Sequence, residues 1–389
     1  MKRIIAIILF AITVFATFII RQAIPKETLM TVYFSDFSVE EIGVPTIETY
    51  LQDKINARNP WDMTILNNNL YIGAGDYGIN TGPTDIWKYD IVRDNWSISG
   101  TVNEEAVARF IKHNDCIYIP GTDPLDRWEL GNYYTYENEQ WVKHRTVPYG
   151  VHMFDIVQYQ NAFFYGIGTS ENSQSPVQMT TDNKSFTNIP FYINNKAILG
   201  DENYSFSRCY SLFPCEKGLF AFCWWNDGKL YGFFEYRQGA FHYINDIKGL
   251  RLDYKRTNRQ RLMNETLTLN GKAYFSTGKL YCTNDFITAE QIATPEGYYV
   301  QDIYIENDKL YVLTSFDITK SDATNYKNTI WELGENNTLK EVYSFNYELC
   351  GMSLAKQNNI FFVGIGKTTN AAQSSESKNG MIIKVTKVR

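Results

Sequence analysis

One short phrase recurs along the chain and constrains its fold more than any other feature. It reads Asn69-Leu70-Tyr71-Ile72-Gly73-Ala74-Gly75, then Asn161-Ala162-Phe163-Phe164-Tyr165-Gly166-Ile167-Gly168, then Asn359-Ile360-Phe361-Phe362-Val363-Gly364-Ile365-Gly366. Weaker copies sit at Asn114 to Gly121, Gly218 to Cys223, Gly271 to Thr277 and Asp308 to Ser315. Each is a turn, an apolar-aromatic strand and a glycine. Seven copies roughly 40–55 residues apart predict a radial array of small sheets. At 389 residues the length alone suggests two or three domains, but a repeat fold grows as one unit.

The first copy shows the plan. Trp61 to Leu66 reads as an inner strand and Asn67-Asn68-Asn69 as its turn. Leu70 to Gly73, Asp85 to Asp90 and Asn95 to Ile98 follow as three more strands. Four short strands with turn signals at this spacing form one blade of a β-propeller. Gly73 and Gly75, then Tyr89-Asp90, then Trp96 resemble the kelch repeat, and Tyr133 to Tyr136 with Trp141 repeat the pattern. Elsewhere the likeness is partial: Phe186 stands where a Trp is required. Thr180-Thr181-Asp182-Asn183-Lys184-Ser185-Phe186 is similar to a degenerate Asp-box turn of sialidase-type propellers, which is a structural turn. The resemblance implies an all-β, seven-bladed propeller over residues 59–389. Its last blade is one strand short, and Thr31-Val32-Tyr33-Phe34 is suited to fill the place. Residues 30–58 then serve as closing strand and connector, with a helical turn around Pro45 to Ile55.

The N-terminus is a separate object. Lys2 and Arg3 precede an apolar run from Ile4 to Ile20, with Arg21 and Lys26 behind it. The run predicts an N-terminal apolar helix, and residues 1–29 read as an uncleaved signal-anchor or as a cleaved signal peptide. Both readings export the remainder, as a membrane-anchored or a secreted protein. A net charge of −6 argues against nucleic acid as a partner. The six Cys read mostly as buried thiols, with a Cys209–Cys215 bridge as the alternative. No Cys/His spacing suits a metal, and no cofactor fingerprint occurs.

Aligning the repeats brings Asp62, Arg109, Asp155, Ser211, Glu265, Asp302 and Ser353 to equivalent positions at the starts of the inner strands, with Arg208 as an alternative to Ser211. A ring of carboxylates and arginine at the mouth of a channel is a place for ligand contact, though polar, hydrated lining is equally a structural role. Topology puts the loops between second and third strands on the same face. The most specific of these, Gly75 to Pro83, offers Asp76, Tyr77 and Asn80. A basic stretch from Lys248 to Arg261 offers Arg251, Arg256 and Arg259 to an anionic ligand such as an acidic glycan. His152, just upstream of Asp155, is the one histidine near that mouth. Without a recognisable catalytic motif the sequence leans away from an enzyme. The expectation is an exported binding or scaffold module for a glycan or protein, with a sialidase-like hydrolase or lyase acting through the funnel carboxylates as the alternative.

Overall fold

Antiparallel hairpins make up nearly all the regular structure. The computed structural model describes residues 31–34, 36–46, 55–76, 82–113, 116–169, 174–198, 208–225, 230–251, 266–318, 326–366 and 378–388. Strands β1 (Thr31–Phe34) and β2 (Phe37–Gly43) come first. The sheet β3 (Asp62–Leu66), β4 (Asn69–Gly73), β5 (Thr84–Asp90) and β6 (Asn95–Val102) follows. Next along the chain are β7 (Glu104–Ala106), β8 (Ile111–His113), β9 (Cys116–Pro120), β10 (Thr122–Pro124), β11 (Leu130–Glu137) and β12 (Gln140–Pro148). The middle of the chain contributes β13 (His152–Tyr159), β14 (Ala162–Gly168), β15 (Val177–Thr180), β16 (Thr187–Asn188), β17 (Phe191–Ile193) and β18 (Lys196–Ala197). Then come β19 (Arg208–Cys215), β20 (Gly218–Trp225), β21 (Leu230–Arg237) and β22 (Ala240–Tyr243). Two four-stranded sheets follow: β23 (Thr266–Leu269), β24 (Lys272–Ser276), β25 (Leu280–Thr283) and β26 (Glu290–Ile292), then β27 (Tyr299–Glu306), β28 (Lys309–Asp317), β29 (Tyr326–Leu333) and β30 (Leu339–Tyr347). The chain closes with β31 (Cys350–Gln357), β32 (Ile360–Gly366) and β33 (Ile382–Lys387).

The expectation of seven separate blades is corrected. Among the described residues there are five discrete sheets of four or five strands, and the remaining strands run through one continuous twelve-stranded sheet. The cause is pairing across what the repeat treats as blade boundaries. Ala106 pairs with Thr122, Thr122 with His152, His152 with Gly168, Gly168 with Arg208, and Arg208 with Trp224. This single row of residues stitches β7, β10, β13, β14, β19 and β20 together.

Two further corrections concern the N-terminal region. The strand beside β33 is β2, while Thr31–Phe34, expected there, pairs with β2 one place further out. No α-helix occurs among the described residues, which hold only two 3-10 turns at Ile55–Arg58 and Glu335–Asn337. The predicted N-terminal apolar helix, over the run Ile4 to Ile20, lies outside the described residues. No described helix is long and apolar enough to cross a membrane.

The first strands of successive sheets stand side by side: β3 on β31, β31 on β27, β27 on β23, β23 on β19, β19 on β13, and β13 on β8 and β9. The core lies between neighbouring sheets. Leu70, Ile72, Trp87 and Tyr89 pack against Ala355, Phe362 and Ile382, so the repeated phrase supplies both surfaces of one interface. Fully burying each such side chain contributes about 1.5–3 kcal/mol. Phe213, Phe220, Phe233, Phe275 and Phe286 fill the next interfaces with tilted and stacked rings.

Gly75 shows why the phrase ends as it does. Its φ of +106° is open to glycine, and a Cβ there would sit 2.4 Å from the Glu105 carbonyl oxygen. That close approach lets Asp76 N donate to Glu105 O at 3.0 Å and fixes one sheet on the next.

Candidate functional site

Five of the seven residues that the repeat aligns occupy equivalent places; Arg109 lies ahead of β8 and outside any strand pairing, and Glu265 lies outside the described residues. Asp62 pairs with Gly73, Asp155 with Gly166, Ser211 with Phe222, Asp302 with Leu313 and Ser353 with Gly364, the same offset in each hairpin. In the last four a β-bulge falls on the residue just before, at Phe154, Tyr210, Gln301 and Met352. A bulge re-aims the following side chain, here toward the neighbouring strand.

What these side chains hold is backbone. Asp62 accepts Met63 N at 2.7 Å and Phe110 N at 2.6 Å. Asp155 accepts Ile156 N at 2.9 Å and Leu212 N at 2.8 Å, and Asp302 accepts Ile303 N at 2.8 Å and Leu354 N at 2.6 Å. Ser353 donates to Pro60 O at 2.7 Å. Each carboxylate thus clasps its own strand to the next one round the ring. Burial pushes Asp62 up to about 7 against the pull of both amides and Arg109. It raises Asp155 as well, with Arg109 opposing.

Arg109 spans the interior. Its guanidinium pairs with Asp155 at 3.1 Å and donates to the Thr266 carbonyl and hydroxyl at 3.2 and 3.3 Å. Asp62, Arg109 and Asp155 are therefore brought together, whereas Asp302 clasps β31 elsewhere on the ring. Glu265 precedes Thr266 and lies outside the described residues. Asp76 is buried, Arg251 is exposed with its carbonyl accepting Tyr281 Oη–H at 3.1 Å, and Tyr77, Asn80, Arg256 and Arg259 lie outside the described residues.

A different cluster converges on the stitching row. His152 and Arg208 flank Gly168, one strand to either side. Directly paired residues of antiparallel strands share a face, so both side chains stand over the same bare glycine. A Cβ at Gly168 would meet His152 Cδ2 and Phe154 Cε2 at 3.1 Å and Arg208 Cγ at 3.3 Å. The three side chains close over the bare glycine so tightly that even a methyl group would press on them. The imidazole Nδ1 meets Asp123 Oδ1 at 2.7 Å, and its ring stacks on Phe154 at 5.7 Å. Burial would raise Asp123, but the hydrogen bond and charge of His152, a hydrogen bond from Glu105 and the field of Arg208 hold it below the usual carboxylate range. His152 and Asp123 keep 16% and 23% of their side-chain surface, so solvent reaches the pair.

Asp123 is delivered by a strained, anchored segment. Its φ is +47°, immediately before Pro124, where the proline ring disfavours helical and turn conformations. Asp126 pins the following loop, accepting Asn103 Nδ2 and Asn132 Nδ2 at 3.0 Å each and pairing with Lys143. Between these anchors and β11, Leu125 and Trp128 stand 50% and 56% exposed. Sequence reasoning singled out His152 and weighed Arg208. It missed Asp123 and Glu105, for which the unusual Thr122-Asp123-Pro124 was the available signal.

The chain is a β-propeller. No protein-family model matches its sequence, and no curated protein matches it either. Solved structures with a similar fold include a streptogramin B lyase, at TM-score 0.46 and 12% identity over 90% of this chain and 97% of that one. The β-propeller domain of the Trilobed protease from Pyrococcus furiosus gives TM-score 0.39 and 10% identity, covering 72% and 80%. An α-L-arabinofuranosidase from Fusarium graminearum gives 0.40 and 12%, covering 84% and 92%. The resemblance to kelch repeats stands at the level of the propeller fold.

Proposed function

We propose that this chain is an exported binding module that takes a carboxylate-bearing glycan on the face carrying His152, Asp123 and Arg208. The observation that carries the reading is the convergence of Arg208, His152 and Phe154 over Gly168, beside a His152–Asp123 pair that solvent reaches. A planar guanidinium suits a carboxylate. The Phe154 ring supplies a flat apolar surface for a pyranose face. Export rests on Lys2, Arg3 and the apolar run behind them.

A glycosidase built on Asp62, Asp155 and Asp302 finds less support. Such an enzyme needs two carboxyl groups facing the scissile bond. Each of these three already accepts two backbone amides.

Titration calorimetry of the purified chain with acidic and neutral oligosaccharides tests the reading. Oligouronates should bind, neutral oligosaccharides of the same length should bind at least about tenfold more weakly, and Arg208→Gln should remove the difference. Equal affinity for both, or an unchanged preference in Arg208→Gln, would sink it.

A further inference from the structure

We propose that Cys209 and Cys223 are joined by a cross-strand disulfide in the chain folded under oxidising conditions. The two stand opposite each other in the hairpin of β19 and β20, and the structure holds both as thiols. An irregularity in the ladder puts them there. Pairing runs without a break from Cys215–Gly218 to Ser211–Phe222, and continued in step it would set Tyr210 opposite Cys223. The bulge at Tyr210 shifts the register by one residue, so Cys209 takes the place. Tyr210 packs into the neighbouring core with Phe213 and Trp224, while Cys209 and Cys223 enter the core that holds Phe164, Val177 and Leu219. Directly opposed residues of antiparallel strands have Cα atoms about 4.5–5.5 Å apart, inside the roughly 4.4–6.8 Å that a disulfide spans. The two thiols already hydrogen-bond to each other. Bare Gly166 leaves room for the sulfur, since a Cβ there would come within 3.3 Å of Cys209 Sγ.

All six cysteines lie among the described residues, and no other two are opposed. Cys209 and Cys215 share β19, and their separation along one strand is about 20 Å, so the bridge weighed from their spacing is excluded. Cys116, Cys282 and Cys350 face His113, Tyr274 and Gly366 across their own hairpins. Burial, and the hydrogen bond with Cys223, push the Cys209 thiol well above its usual range, so the folded protein holds almost no thiolate there. Oxidation therefore belongs to folding, before β19 and β20 are covered. The oxidant is a small disulfide of the glutathione class. One cysteine thiolate attacks it and releases one thiol; the second thiolate attacks the mixed disulfide, forms the Cys209–Cys223 bond and releases another thiol. The reagent gains the electron pair and the two cysteine protons. Once formed, the bridge is sealed in an apolar core and pins β19 close to Leu212, whose amide donates to Asp155 at 2.8 Å.

The test refolds the full chain from urea in a buffer of reduced and oxidised glutathione, unfolds it again without reductant, alkylates it and maps the peptides. Two of the six cysteines should escape alkylation, and one disulfide-linked peptide pair should carry Cys209 and Cys223. The oxidised chain should melt roughly 3–5 °C above the same chain refolded with reductant. Cys215→Ser should keep the linked pair. Cys223→Ala should lose both the linkage and the difference in melting temperature between the two buffers. Should that variant fail to fold, the peptide map of the unsubstituted chain decides. Six alkylated cysteines in a chain whose cooperative unfolding shows that it has folded would overturn the proposal. A linkage from Cys209 to any cysteine other than Cys223 overturns it as well.

Discussion

Individual buried carboxyls set the pH response of the fold. Glu104 is fully buried, accepting Asn132 Nδ2 at 2.7 Å and Tyr134 Oη–H at 3.0 Å on one oxygen. Burial pushes it up to about 8, and those two hydrogen bonds only partly oppose the rise. Because the folded protein holds this proton more tightly than the unfolded chain, stability is greatest below the ordinary carboxyl range. It then falls as pH rises from about 4.5 to about 8. Asp62, raised to about 7, acts in the same direction. Glu104→Gln keeps an acceptor for Asn132 and Tyr134 and cannot ionise. It should flatten Glu104's share of that fall, on the order of a few kcal/mol between pH 5 and 8. Urea unfolding of both proteins at the two pH values measures it, and parallel pH slopes would show that Glu104 ionises freely.

At the scale of elements, the repeated phrase located the inner strands and aligned Asp62, Asp155, Asp302 and Ser353 correctly to a single register. The pattern could not show where their oxygens go. A carboxylate at a channel mouth and one clasping the next strand's amides have the same sequence, since the difference lies in long-range neighbours such as Leu212 and Leu354. The stitching row was hidden for a related reason. Thr122-Asp123-Pro124 is too short to show any period and sits in what reads as a polar loop, so nothing local announces that it joins His152. The clasps make a measurable demand. Asp302→Ala would leave the N–H of the buried Leu354 without its 2.6 Å acceptor. The expected loss is roughly 2–4 kcal/mol, one hydrogen bond to a charged group plus an orphaned amide. A shift in the urea midpoint equivalent to less than about 0.5 kcal/mol would mean that Leu354 finds another partner.

The whole molecule depends on how its two ends meet. Strand β2 pairs along β33 from Phe37–Lys387 to Gly43–Ile382, joining residues from opposite ends of the sequence. It also reaches sideways: Tyr347 Oη–H donates to Glu41 at 2.7 Å, and Trp96 Nε1–H donates to the Ile42 carbonyl at 2.7 Å. Lys378 pairs with the second Glu41 oxygen at 2.6 Å. One seven-residue strand therefore ties the last sheet to both of its neighbours. Sequence made a closing strand legible from the missing fourth strand, yet chose Thr31–Phe34. Both runs are extended and aromatic, and only the tertiary partners Trp96 and Tyr347 distinguish them. Two truncations separate the roles. Removing residues 1–36 leaves all of these contacts in place and should cost no more than about 1–2 kcal/mol, the share of one outer strand. Removing residues 1–43 deletes them together and bares the edge of β33. That loss should approach the few kcal/mol that separate a folded domain from its unfolded chain, and the open edge should drive self-association. Thermal unfolding and size-exclusion chromatography report the two effects independently. A chain lacking residues 1–43 that stays monomeric with an unchanged melting temperature would show that the propeller closes without β2.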